Sequence, residues 1–168
     1  MTRFLREVPP HHYGRCHNMR GDDITAMTRP AHLLFERAKE WDRGLVTLGV
    51  GDGGNEIGMG KVPWDVIRRN VPGGGLTACR VAVDRLVVAG VSNWGAYGLA
   101  AGVRLLRGAP PDAGLFDPQR LRALLELMVE QGPLVDGKTG QQAAQVDGLP
   151  FEREAEVLRR LGEIAAGR

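Results

Sequence analysis

Between Pro30 and Trp41 the apolar positions Leu34, Ala38 and Trp41 recur at helical spacing; Pro30 suits a first turn and Gly44 lies just past the end, so a helix is predicted there. Leu45 to Val50 is a short β-prone run ending beside glycine, and it predicts a buried strand. That strand delivers the chain into Gly51-Asp52-Gly53-Gly54-Asn55-Glu56-Ile57-Gly58-Met59-Gly60. Pro72-Gly73-Gly74-Gly75 reads as a turn or hinge, followed by Thr77 to Val83 and Leu86 to Ala89 as two strand segments or one strand bent at Asp84-Arg85. Ser92 is the expected N-cap of a helix running through Trp94, Tyr97, Leu99 and Val103 to about Arg107, with Gly95, Gly98 and Gly102 allowing close approach of a neighbour. Asp117 and Pro118 cap and start a further helix with Leu121, Leu124, Leu125 and Met128 on one face and Gly132 at its end. The last helix begins near Phe151 and carries Val157, Leu158, Leu161 and Ile164.

Strand, short turn, helix is the pattern of α/β proteins, and the expectation is a small, mostly parallel central sheet flanked by helices. Residues 1–27 read as an irregular N-terminal arm, and Gly132 to Pro150 as a polar loop of a length that is often functional. A chain of 168 residues fits a single domain spanning 1–168. With 43 % hydrophobic and 25 % charged residues it has the balance of a globular protein. The net charge of +2 is spread along the chain, which argues against a nucleic-acid partner.

Cys16 and Cys79, with no apolar leader ahead of them, do not form a disulfide framework, so a reducing cytoplasm is the expected location. Arg80, Asp84, Arg85 and Arg104 interrupt the most apolar stretch, Leu76 to Leu106, which excludes a plain membrane-spanning helix there. A homodimer is the default expectation for assembly.

Gly49-Val50-Gly51-Asp52-Gly53-Gly54 matches the glycine spacing of a dinucleotide-binding turn, yet Asp52 would set a carboxylate beside the pyrophosphate and Gly58 and Gly60 would weaken the helix that should hold it. About 20 residues on, where a ribose-binding acid belongs, stands Pro72-Gly73-Gly74-Gly75, so neither nicotinamide nor flavin is expected. A nucleotide P-loop also fails, because Val62 follows Gly60-Lys61 and Asn55 stands where the first glycine belongs. What the segment offers is two carboxylates, Asp52 and Glu56, with the Asn55 amide between them, which suits a small polar substrate or a hard cation. The alternative is a turn rich in capping acids.

His11, His12, Cys16 and His17 cluster without a second ligand pair at zinc spacing and read as a surface arm. Asn18, Arg20, Asp22 and Asp23 place an amide, a forked cation and two acids together, which is either a binding constellation or a solvated turn. Ser92-Asn93-Trp94, where a strand gives way to a helix, could receive a substrate carboxylate or serve only as a cap. Cys79 reads as a small buried hydrophobe rather than a nucleophile.

Taken together, Asn18-Met19-Arg20-Gly21-Asp22-Asp23, the segment Gly51 to Gly60, Ala89-Gly90-Val91-Ser92-Asn93-Trp94-Gly95, Val135-Asp136-Gly137 and Val146-Asp147-Gly148-Leu149-Pro150 resemble the D-glutamate cyclase family, from about Glu7 to Pro150. The Gly51 to Gly60 segment is the most specific. Val8 to His17 departs from the Gly- and Tyr-containing pattern of the family, and a further family segment is expected upstream of this chain.

The resemblance implies a hydro-lyase reaction in which D-glutamate loses water to give 5-oxo-D-proline. Such a condensation needs a base for the ammonium proton, donors for the oxyanion and an acid for the departing oxygen. On this reading Glu56 is the base, and its neighbour Asp52 pairs with the substrate ammonium or shares a Mg²⁺ or Mn²⁺ with it; Lys61 neutralises the oxyanion. Arg20 and Ser92-Asn93 bind the carboxylates, and Asn18, Asp22, Gly53, Gly54 and Asn55 complete the glutamate-binding set. Glu56→Gln is then expected to abolish turnover while sparing the fold. The alternatives are a non-catalytic module that binds an amino acid or nucleotide, a truncated family member, and a structural subunit of a larger assembly.

Overall fold

Leu48–Gly51 (β1) and Arg85–Val88 (β2) pair in parallel, Leu48 opposite Arg85 and Gly51 opposite Val88. With His32–Glu36 (α1), Ala38–Trp41 (α2) and Trp64–Asn70 (α3) they belong to the first of two units, residues 1–89. Ser92–Leu106 (α4), Pro118–Gln131 (α5) and Phe151–Ala165 (α6) belong to the second, residues 90–168. The computed structural model describes residues 14–109 and 114–167; within them these helices and the two-stranded parallel sheet give the α/β class expected from the sequence. None of the described helices is long and apolar enough to cross a membrane.

The strand register is set at one end by a clasp. The Thr47 N–H and hydroxyl both donate to Asp84 Oδ2, at 2.8 and 2.9 Å, and the Asp84 N–H returns a bond of 3.0 Å to Thr47 Oγ1. Lys39 of α2 pairs with the same carboxylate at 3.0 Å. The Thr47 amide, Lys39 and the Thr47 hydroxyl, in that order of weight, hold Asp84 down to about 2. Because the folded value lies below the ordinary one near 4, this contribution to stability is present above that pH and is lost as pH falls towards about 2. Asp84→Asn is therefore expected to flatten the acid limb of an unfolding curve followed by circular dichroism; an unchanged limb would count against the clasp.

The structure departs from the sequence expectations in several places; the strand predicted over Leu45 to Val50 begins only at Leu48, with Leu45 and Val46 exposed before it. The helix predicted over 30–41 is split at Arg37, whose φ of −99° and ψ of 3° lie outside helical geometry. Of its predicted inner face only Ala38 is buried, and the break leaves Lys39 bonded to both Asp84 and the Leu45 carbonyl. Thr77 to Val83 forms no strand, because its polar backbone pairs with a folded loop instead of an extended neighbour. Gly58 and Gly60 both donate to the Val81 carbonyl, at 2.9 and 3.2 Å, and the Cys79 N–H donates to Gly54 at 2.8 Å.

In the second unit, α4 starts with Ser92 as its first helical residue and Val91 in the cap position. Helix α3 is an additional element, placed by Pro63 at its cap and by Ile67 and Val71, which pack with Met59.

Helices α5 and α6 start where expected: the Asp117 side chain accepts from the Gln119 N–H at 2.9 Å, and α6 begins at Phe151. The core of the second unit joins Ala101 of α4, Phe116, and Leu158 and Ala165 of α6. A second cluster holds Leu125 of α5 with Phe151 and Ala155. Gly98 and Gly102 do not serve close approach, since a Cβ on either would meet nothing within 4 Å among the described residues.

Candidate functional site

The Gly-rich segment leaves β1 and folds straight back on it. A Cβ on Gly49 would collide with the Ile57 carbonyl oxygen, and one on Gly54, whose φ is +106°, would lie 2.6 Å from Val71 Cγ2. The turn is closed by Glu56, whose Oε1 accepts from the Gly53 N–H at 3.0 Å and Oε2 from the Gly54 N–H at 2.8 Å. Glu56 thus meets two orphan backbone donors with one carboxylate, the strong charge-assisted arrangement for a tight turn. Glutamine at 56 would set an amide N–H₂ against one of these donors, so Glu56→Gln is expected to lower stability as well as turnover. Lys61 is exposed, and its ammonium donates to the Asp84 carbonyl at the head of β2.

Asn18, Arg20 and Asp22 come together as one exposed turn. Asn18 Oδ1 accepts from the Arg20 and Asp22 N–H groups, both at 3.0 Å, while its Nδ2 donates to Asp22 Oδ2 at 2.8 Å. Arg20 Nε lies 3.4 Å from the same oxygen. The Asn18 bond, then Arg20, holds the Asp22 carboxyl below its usual range. Met19, at the tip, would contact a Cβ on Gly53 at 3.4 Å, so this turn rests on the Gly-rich loop.

The stems of that turn open on a cavity of about 370 Å³. Its lining includes Arg15, Cys16 and His17, Arg29, His32 and Glu36, Asn55 and Ile57 of the Gly-rich loop, and Thr77, Cys79 and Arg80. The lining carries Arg15, Arg29 and Arg80 against Glu36, and Arg15 is ion-paired with Asp23 at 2.5 Å, which leaves an excess of one positive charge. The Arg80 guanidinium lies 3.3 Å above the centre of the Trp64 ring, a cation–π contact. Burial pushes the Cys79 thiol up, so it stays protonated at neutral pH.

Of the predicted site residues only Asn55 lines this cavity; Asp52, Glu56, Lys61, Asn18, Arg20, Asp22, Gly53 and Gly54 of the same unit do not. His11 and His12 lie outside the described residues. Among the described residues no three His, Cys, Asp or Glu side chains converge as metal ligands, and the Glu56 oxygens face N–H donors, an environment for an anion.

In the second unit Ser92 and Asn93 open α4, and Trp94 beside them donates its indole N–H to Glu154 Oε2 at 2.5 Å. Two other family-like segments are tied together by Asp136, which accepts from Lys138, Thr139 and Gly148 N–H groups at 3.1, 2.7 and 3.0 Å. Burial pushes its carboxyl up, but these donors outweigh burial and hold it below its ordinary value. Asp147 has a φ of +54°, so the turn into Gly148 uses left-handed backbone on a non-glycine residue.

Sequence reasoning missed Arg29, His32, Thr77, Arg80 and Glu154. His32 and Glu36 sit one helical turn apart, a spacing the sequence displays. Glu154 is a charged residue on the apolar stripe formed by Phe151, Ala155 and Leu158.

Residues 8–162 match the family described as D-glutamate cyclase-like, C-terminal. Over 171 aligned residues the chain is 36 % identical to human D-glutamate cyclase, mitochondrial, a match covering 90 % of this chain and 27 % of that protein. The chain thus spans about a quarter of that relative's length.

Proposed function

Because the chain belongs to the D-glutamate cyclase-like C-terminal family, a family whose membership points to a cyclase or lyase activity, we propose that it dehydrates D-glutamate to 5-oxo-D-proline, alone or as part of a longer enzyme. The observation that carries this reading is the cavity: Asn55 and Ile57, from the most specific family-like segment, share its lining with Arg15, Arg29, Arg80, His17 and His32. Two carboxylates distinguish glutamate from most amino acids, and the arginines of the lining are cations suited to a carboxylate.

In the reaction the neutral α-amine attacks the side-chain carboxyl carbon. A C–N bond forms, a C–O bond breaks, and the departing oxygen leaves as water. Each Glu56 oxygen keeps one acceptor position beyond its amide bond, so Glu56 can receive the ammonium proton while it holds the loop. Asp52 pairs with the ammonium, and Lys61 neutralises the oxyanion. In the first unit Arg20, with Asn18 and Asp22, and the Gly53–Gly54 backbone are the remaining proposed binding groups.

The test is mass-resolved chromatography of the chain incubated separately with D- and L-glutamate, with and without Mg²⁺ or Mn²⁺. The expected product is 5-oxoproline from the D isomer, lost in Arg80→Gln. Binding of D-glutamate without conversion would replace the enzyme reading by the binding-module one, and neither binding nor conversion would sink both.

A further inference from the structure

Thr77 belongs to the lining of the first unit's cavity and is only 8 % exposed, yet its hydroxyl oxygen is buried without a hydrogen-bond partner among the described residues. The other threonine of that lining is settled, since the Thr28 hydroxyl donates to the Ile24 carbonyl at 2.8 Å. The chain around Thr77 is pinned: the Ala78 N–H donates to the Gly75 carbonyl at 3.0 Å and the Cys79 N–H to the Gly54 carbonyl at 2.8 Å. The backbone is therefore not free to carry the hydroxyl to another partner. A buried hydroxyl that makes no bond leaves a fold less stable than a methyl group of the same shape would, and valine supplies that methyl.

Arg80, three residues on, and Arg29 line the same cavity. A carboxylate offers about four acceptor positions, so guanidinium and hydroxyl donors can act on one group together. We infer that Thr77 is a binding residue of the cavity, that its hydroxyl donates to a carboxylate oxygen of the ligand, and that the unliganded fold is less stable for carrying it. On the reading that makes this cavity the glutamate site, on which the inference rests, Thr77 binds one end of D-glutamate.

Thr77→Val is expected to move stability and binding in opposite directions, which a threonine serving the fold alone would not do. The thermal midpoint of the unliganded full chain should rise by roughly 2–4 °C. In titration calorimetry D-glutamate should bind about tenfold or more weakly, as for loss of one charge-assisted hydrogen bond. Glutarate, which has both carboxylates and no amine, should lose affinity by a similar factor. Thr77→Ser, which keeps the hydroxyl, should bind both ligands within about threefold of the wild-type chain.

A lowered midpoint or failure to fold in Thr77→Val would mean that the hydroxyl has a partner within the fold, and would overturn the inference. A loss confined to D-glutamate would overturn it too, because the hydroxyl would then read the amine. Wild-type affinity in Thr77→Val, with 5-oxoproline still formed, would overturn it and leave the cyclase reading standing. The expected losses in a chain that binds D-glutamate without converting it would leave the inference standing and remove that reading. Binding of neither ligand by the wild-type chain would overturn both.

Discussion

Gly60→Ala is expected to prevent stable folding of the first unit. A Cβ at this position would overlap the Arg80 carbonyl group and lie 2.7 Å from the Val81 carbonyl carbon. These atoms are backbone, so no rotamer change relieves the contact; the 80–82 segment would have to move. That segment is held by Gly58 and Gly60 donating to Val81, and its displacement would break both bonds together. Overpacking alone costs about 1–3 kcal/mol, and each buried backbone group left unpaired adds about 1–3 kcal/mol. The sum reaches a large part of the roughly 5–15 kcal/mol that holds a domain together.

Gly102→Ala is the matched control. A Cβ there meets nothing within 4 Å among the described residues, and the helix interior gains about 0.5–1 kcal/mol from losing a glycine. Thermal unfolding of the two variants side by side decides the matter: Gly60→Ala with a wild-type midpoint would refute the packing described for the loop.

Glu56→Gln is expected to lose stability and turnover together. One of the Gly53 and Gly54 N–H groups would face the new amide nitrogen, at a cost of about 1–3 kcal/mol. For a chain of this size each kcal/mol lowers the midpoint by roughly 2–4 °C. Activity per folded molecule should fall by about 10²–10⁴-fold, as for loss of a proton acceptor. Measuring both quantities on the same preparation separates the two contributions. A lowered midpoint with full activity below it would assign Glu56 to the loop alone and move the base elsewhere, with His32 in the cavity wall the next residue to replace. An unchanged midpoint would mean that the carboxylate does not close the turn.

Both predictions turn on a segment whose importance was plain in the sequence and whose reason was not. Gly51 to Gly60 was recognisable as the most specific family-like stretch, and Glu56 stood out as an acid among glycines. The glycines are there because the loop packs against β1, Val71 and residues 80–82, contacts between residues far apart in the chain that spacing does not reveal. Likewise Asn18, Arg20 and Asp22 read as a binding constellation, whereas their hydrogen bonds are spent within one exposed turn. The residues that line the cavity beside Asn55 were passed over, because Arg29 and His32 lie in one stretch and Arg80 in another, and only the fold brings them to one cavity.

By itself the sequence determined the elements whose signals are local. Strand β1, the starts of α5 and α6 and the α/β class follow from apolar period, caps and turn residues, each acting over a few positions. The family followed from short segments in a fixed order. Tertiary structure alone decided that Thr77 to Val83 pairs with a loop instead of forming a strand, that Glu56 closes a turn, and that Glu154 reaches Trp94 across 60 residues. The physical reason is the same in each case: a backbone donor or a buried carboxylate must find a partner, and the nearest suitable one in space is distant in the chain.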